Sequence, residues 1–244
     1  MQINNKYYFA SDVHLGLPVN DTQQREQQFV AWLDMAAQDA KAIFLLGDIF
    51  DFWCEYKKVV PKGFVRTLGK LAELADRGIE IHFFPGNHDL WTFGYLSQEL
   101  GIQVHFRHLE IDLNGKIFYL AHGDNVGKMT KGYRFLRSVF TSRFFQKCFA
   151  SMHPRWGLAL AHRWSRHSRL SKGLSLPFQQ EKEQVYRFAQ AYSKEHHIDY
   201  FIFGHRHTPL SLPVGEHSQL VILGEWIQGC EYAVFDNGEA QLKR

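Results

Sequence analysis

The sequence predicts an α/β fold with mixed sheets and one helical insertion, on three observations. Apolar runs alternate with helix-periodic segments through the first half of the 244-residue chain, the order in which parallel strands are joined by helices. Two Asn-Gly dipeptides, Asn114-Gly115 and Asn237-Gly238, each divide a run of alternating apolar residues. Each reads as a hairpin and adds antiparallel strands. From Asn125 to Gln180 there is no Asp or Glu, against eleven Lys and Arg. That stretch breaks the strand–helix order, so it reads as an insertion, residues 125–180, in a single domain spanning 1–244.

The elements follow in order. KYYFA is the first strand, and a helix runs from Thr22 to about Gln38. AIFLL is the second strand. The next helix, from about Lys62 to Asp76, is stopped by Gly78, which can take the left-handed turn that ends helices. IEIHFFP is a strand, Tyr95 to Leu100 a short helix, and QVHF a further strand. LEIDLNGKIFYLAHG is the first hairpin. Within the insertion, Tyr133, Leu136, Phe140, Phe144 and Cys148 fall at helical spacing, predicting one helix that Pro154 ends. A second follows from about Arg155 to Arg169. Beyond the insertion come a helix from Phe178 to His196, the strands DYFIFGH and QLVILGEW, and the hairpin EYAVFDNGEAQLKR.

Composition excludes several classes. The chain is 45% apolar and 22% charged, ordinary for a globular protein and unlike a disordered or collagen-like one. The longest apolar run, AIFLLGDIFDFW, is too short to span a bilayer and holds two aspartates. Cys54, Cys148 and Cys230 are widely spaced and form no C-x-x-C pair, which argues against a disulfide framework and a thiolate zinc site. The N-terminus lacks a basic segment followed by a long apolar one, so the expected location is the cytoplasm. Net charge is +3, but the insertion carries +11 and leaves 17 basic against 25 acidic residues elsewhere. Such asymmetry predicts an anionic partner.

Five polar clusters each directly follow a strand-like run: SDVHLG (Asp12, His14), GDIFDFW (Asp48, Asp51), GNHDLW (Asn87, His88, Asp89), AHGD (His122) and FGHRHTP (His205, His207). In open α/β sheets ligands bind beyond the carboxyl ends of strands. Two residues apart at a strand end, Asp12 and His14 are expected to point the same way. Seven metal ligands are then expected at one edge: Asp12, His14, Asp48, Asn87, His122, His205 and His207. A nitrogen and oxygen set without thiolate suits Mn²⁺, Fe²⁺ or Zn²⁺ better than Ca²⁺. Asp89 reads as a structural turn acid, and Arg206, between two ligands, as pointing away from them. His82 and His105 belong to no motif and read as ordinary surface or partly buried histidines.

The order D-x-H, G-D-x-x-D, G-N-H-D, a lone His before Gly, then G-H-x-H resembles the calcineurin-like metallophosphoesterase family, from Asp12 to His207. The resemblance implies an αββα sandwich with mixed sheets and two divalent ions, most often Mn²⁺. It implies one ion on Asp12, His14, Asp48 and His207, and the other on Asp48, Asn87, His122 and His205, with Asp48 bridging. It implies that His88 assists the leaving oxygen and that Asp51 orients it, the alternative for Asp51 being a helix cap or a bond to a backbone N–H. Length and the basic helical insertion also resemble the branch of that family active in lipid A synthesis. That implies hydrolysis of the diphosphate of UDP-2,3-diacylglucosamine, an anionic lipid-linked nucleotide sugar, at the inner face of the cytoplasmic membrane. The best-known members of that branch carry Arg where this chain has His88, and a glutamate where it has Asp51.

The insertion admits three readings. Its helices are two solvated faces, a nucleic-acid groove with basic and stacking groups, or a lid for an anionic amphiphile. In the last two readings Arg134, Arg137, Arg163 and Arg166 are the expected phosphate contacts. A nucleic-acid phosphodiesterase and a non-catalytic metal-binding scaffold therefore stand beside the lipid-sugar hydrolase as alternatives.

Overall fold

The computed structural model describes residues 5–153, 156–157 and 178–244. Two sheets face one another. The first contains β1 (Lys6–Ala10), β2 (Ala40–Leu45), β3 (Glu80–Phe83) and β4 (Gln103–Val104) in parallel, extended past β1 by antiparallel β10 (Tyr232–Asp236) and β11 (Glu239–Lys243). The second contains β5 (Leu109–Leu113), β6 (Lys116–Ala121), β7 (Tyr200–Phe203), β8 (Leu210–Val214) and β9 (Ser218–Ile222). Its order is β5-β6-β7-β9-β8, with β6, β7 and β9 parallel and the two edge strands antiparallel. The helices are α1 (Thr22–Ala36), α2 (Val65–Asp76), α3 (Tyr95–Leu100), α4 (Lys131–Thr141), α5 (Arg143–Ala150) and α6 (Gln184–Tyr192).

Alternation along the strands builds the layers. Tyr8, Ala10, Ile43 and Leu45 pack with Phe29 and Leu33 of α1 and Leu71 and Leu74 of α2. Their neighbours Tyr7, Phe9, Ala42 and Phe44 face the other sheet and meet Phe118, Leu120, Ile202 and Val221. The far face of the second sheet, with Tyr119, Phe201 and Phe203, is covered by Val185, Tyr186 and Ala189 of α6. Helix, sheet, sheet and helix follow in that order, the expected αββα sandwich. Strands covered on both faces read as continuous apolar runs, as YYFA and AIFL do.

Three local expectations are corrected. LSLPV, Leu210–Val214, is a strand where the sequence reading places none. As β8 it lies at the sheet edge, where the missing N–H of Pro213 is tolerated. The single helix expected through Cys148 is broken at Ser142, whose φ of −69° and ψ of 121° are extended. The break frees the carbonyl of Phe140, which accepts from Trp91 Nε1 at 2.8 Å and Gln146 Nε2 at 3.0 Å. The third correction is His82, which is neither at the surface nor solitary. It is 4% exposed, its Nδ1 lies 2.9 Å from His105 Nε2, and its ring stacks on Phe44.

Burial and the adjacent His105 push the His82 imidazole down to about 4 from its ordinary 6.5, against a weaker opposite pull from Glu80. The unfolded chain therefore binds more protons between those values, and stability falls as pH drops through that window. The expected loss from pH 7 to pH 5 is about 1–2 kcal/mol. Urea unfolding at both pH values checks it, with His82→Phe expected to show the smaller difference.

Candidate metal centre

The carboxyl ends of β1, β2 and β3 in one sheet and of β6 and β7 in the other open on one rim. Parallel pairing continues past the strands there. Asp12 N donates to Gly47 O at 3.0 Å, His14 N to Asp48 O at 3.0 Å and Leu15 N to Ile49 O at 2.9 Å. Asp12 and His14 do not converge by strand alternation, as the spacing suggested. Both sit in the left-handed region, φ 54° and 50°, as do Asp48 (53°), His205 (66°) and His207 (52°). Such backbone in non-glycine residues costs about 1 kcal/mol or more apiece and persists where the surroundings fix it.

The side chains gather into groups. Asp12, His14 and His207 present ligand atoms within 4.8 Å of one another, and so do Asp48, His122 and His205. In the first, His207 Nε2 is 3.0 Å from Asp12 Oδ1 and 3.3 Å from His14 Nε2. In the second, His122 Nε2 is 3.4 Å from Asp48 Oδ2. The ring of His122 is aimed by its Nδ1, 2.8 Å from Leu46 O. Asp12 Oδ2 accepts from His205 N at 2.8 Å, tying the groups together. Asp12 Oδ1 and His122 Nε2 are fully enclosed, and their near neighbours His207 Nε2 and Asp48 Oδ2 are not aligned for a well-formed hydrogen bond. Buried polar atoms ordinarily have well-formed partners. Imidazole nitrogens and carboxylate oxygens that converge without satisfying one another fit a divalent cation.

A third group joins His14, Asp51 and His88. Asp51 Oδ1 lies 3.6 Å from His14 Nδ1 and 3.7 Å from His88 Nδ1. The shorter contact on His88 is from its Nδ1 to the backbone carbonyl of Asp51, 2.9 Å, so the main chain holds this ring more closely than the carboxylate does. Asn87 stands exposed between Gly86 and His88 on the loop after β3.

Asp89 does more than an ordinary turn acid. Its carboxylate accepts from the backbone N–H groups of Gly86 (2.7 Å), Asp48 (3.2 Å), Ile49 (2.8 Å) and Phe50 (3.3 Å), lacing the loop after β3 to the loop after β2. No local pattern marks it, since its partners lie up to 41 residues away. The lacing leaves no room at Gly86, where a Cβ would stand 2.2 Å from Asp48 Oδ1. Gly86→Ala is expected to displace the Asp48 carboxylate and lower turnover by about 10²-fold in an enzyme that still folds. Turnover kinetics beside circular dichroism checks it.

Charge follows burial. Burial pushes His14 and His205 down to about 4, so both rings are neutral and each has one unprotonated nitrogen. Burial opposes the charge on Asp48, but His122 and His88 hold its carboxyl well below the usual range. Burial and the Asp48 charge push Asp89 up to about 7 against its N–H donors.

The arginines of the insertion divide. Arg134 is exposed on α4. Arg137 is engaged, donating to the buried carboxylate of Asp124. Arg163, Arg166 and nearly all of the second expected helix lie outside the described residues. Arg206 points away from its neighbours, as expected, and pairs with Glu183 at 2.7 Å.

Two facing mixed sheets, with Asp and His clusters where their strands end, define a metal-dependent phosphoesterase class. A model of the Calcineurin-like phosphoesterase family matches residues 6–209, and the chain belongs to that family. It is 42% identical to a protein of Porphyromonas gingivalis named UDP-2,3-diacylglucosamine hydrolase, covering 96% of this chain and 95% of that one. A protein of the same name from Nitrosococcus oceani is 28% identical over 91% of this chain and 88% of its own length. Among solved structures, a dimetal phosphatase from Danio rerio has the same fold, with a TM-score of 0.51 and 13% identity, covering 99% of this chain and 96% of that one. Among the described residues, no helix is long and apolar enough to cross a membrane.

Proposed function

We propose that this chain is a two-metal hydrolase that cleaves the diphosphate of UDP-2,3-diacylglucosamine. Water attacks the α-phosphorus, and the products are UMP and 2,3-diacylglucosamine 1-phosphate. One observation carries the reading: two Asp/His clusters meet at one rim in a chain related end to end to a hydrolase of that name.

In this reading Asp12, His14, Asp48 and His207 hold one ion, and Asp48, Asn87, His122 and His205 the other. Mn²⁺ is the proposed metal. When bound, such a pair lowers the pKa of water toward neutrality and offsets charge developing on the phosphate. Asp48 would serve both sites. Asp51 steadies His14 and His88 together. His88 keeps one proton at Nδ1 against the Asp51 carbonyl and exchanges the other at Nε2, where it serves the leaving oxygen. Histidine here, in place of arginine, makes that service a proton transfer as well as a charge.

The insertion suits the lipid half of the substrate. Phe135, Phe144 and Trp156 are about 70% exposed (71%, 69% and 70%), beside the exposed cations Lys131, Arg134, Arg143 and Lys147. Apolar groups edged by cations match acyl chains below anionic headgroups, and support peripheral contact with the inner face of the cytoplasmic membrane.

The test is UMP release from UDP-2,3-diacylglucosamine with Mn²⁺. Release abolished by chelation and restored by Mn²⁺ is expected. Metal-dependent turnover of a generic phosphodiester or an oligonucleotide, with no UMP released, would overturn the substrate and keep the reaction class.

A further inference from the structure

The basic insertion leaves the sandwich just after His122 and rejoins it just ahead of α6. Several of its polar attachments to the rest of the chain fall on the loops that carry site residues. On the loop after β6, Asp124 lies two residues beyond His122 and is 7% exposed. Its Oδ2 accepts from Tyr133 Oη at 2.7 Å and from the guanidinium of Arg137, both on α4. On the loop after β7, Arg206 stands between His205 and His207 and donates to Glu183 Oε1, past the insertion at the start of α6. On the loop after β3, Trp91 donates to the carbonyl of Phe140, at the α4–α5 break. The leaving and returning ends are also joined, by Gln184 Nε2 donating to Val126 O.

We infer that Asp124, Tyr133 and Arg137 are positioning residues that lock α4 to the loop after β6, two residues beyond His122, so that seating of α4 and α5 and divalent-ion binding are coupled. The inference rests on reading the rim as a metal site. The physical basis is the cost of moving one part without the other. Asp124 is buried, and withdrawing Arg137 leaves its charge without a partner. Asp124 cannot follow α4 outward without pulling on the backbone of His122. An ion that fixes that histidine therefore favours the seated helices, and by linkage the seated helices favour the ion equally. None of the three side chains needs to touch substrate or metal.

Hydrogen exchange of the amides of residues 131–150, with and without Mn²⁺, tests this in the whole chain, with Mn²⁺ binding measured separately by calorimetry. Mn²⁺ is expected to slow exchange in α4 and α5 by about tenfold in the unaltered protein. Arg137→Met is expected to lose most of that protection and to weaken Mn²⁺ binding by a similar factor. The exchanged pair Asp124→Arg with Arg137→Asp is expected to restore part of both, which loss of a merely structural contact would not do. Tyr133→Phe, which removes one hydroxyl, gives a milder second variant, expected to lose part of the protection. Mn²⁺ that binds without slowing exchange at 131–150 would overturn the coupling and leave the proposed function standing. Absence of Mn²⁺ binding would overturn both.

Discussion

Asp48→Ala is expected to lower kcat/KM for UMP release by at least about 10³-fold, the effect of losing several kcal/mol of charge stabilisation at a two-metal site. Asp48 is 1% exposed and lies at the centre of the rim. Its Oδ1 accepts from His88 N at 2.8 Å and its Oδ2 faces His122 Nε2 at 3.4 Å. The variant is expected to fold, because its charge is opposed by burial and pushes up the neighbouring Asp89. Circular dichroism together with Mn²⁺ calorimetry separates the cases. A folded variant that binds one ion weakly, or none, supports the bridge. Near-normal turnover would remove Asp48 from the centre of the mechanism.

Phe118→Ala is expected to cost about 3–5 kcal/mol of stability, the range for deleting a fully buried aromatic ring. Phe118 is 0% exposed and lies between the sheets. It stacks on Tyr200 at 4.8 Å and Phe9 at 5.8 Å between ring centroids, and meets Phe235 edge-on at 4.8 Å. At about 2–4 °C per kcal/mol for a chain of this size, the melting midpoint is expected to fall by roughly 10 °C. The site should be affected as well. Asp12, Asp48 and His88 follow strands of one sheet, and His122, His205 and His207 follow strands of the other. A loosened contact between sheets therefore misaligns the two halves. Differential scanning calorimetry and Mn²⁺ affinity, measured on the same variant, check both consequences.

The sandwich and its rim were legible because both are written locally. YYFA and AIFL are apolar on both faces, and each polar cluster follows its strand within a few residues, so topology alone brings the clusters together. What escaped notice depends on partners distant in sequence. Asp89 looks like a turn acid until the loop after β2 is seen folded onto it. His82 looks ordinary until His105, 23 residues on, lies against it. Arg137 was grouped with the phosphate-binding arginines because nothing nearby shows that Asp124 already holds it. The break at Ser142 was hidden by an apolar stripe that continues through it.

The left-handed backbone at Asp12, His14, Asp48, His205 and His207 also bears on how these positions tolerate change. In a library randomised at these sites, abundance and activity should sort differently. Glycine and asparagine accept this conformation readily, so they should be well represented among soluble variants and yet inert. Valine, isoleucine and threonine should be depleted from the soluble pool itself, before catalysis is asked of them. A screen that scores expression alone would therefore rank these positions by backbone shape, and would miss the chemistry that the same residues carry.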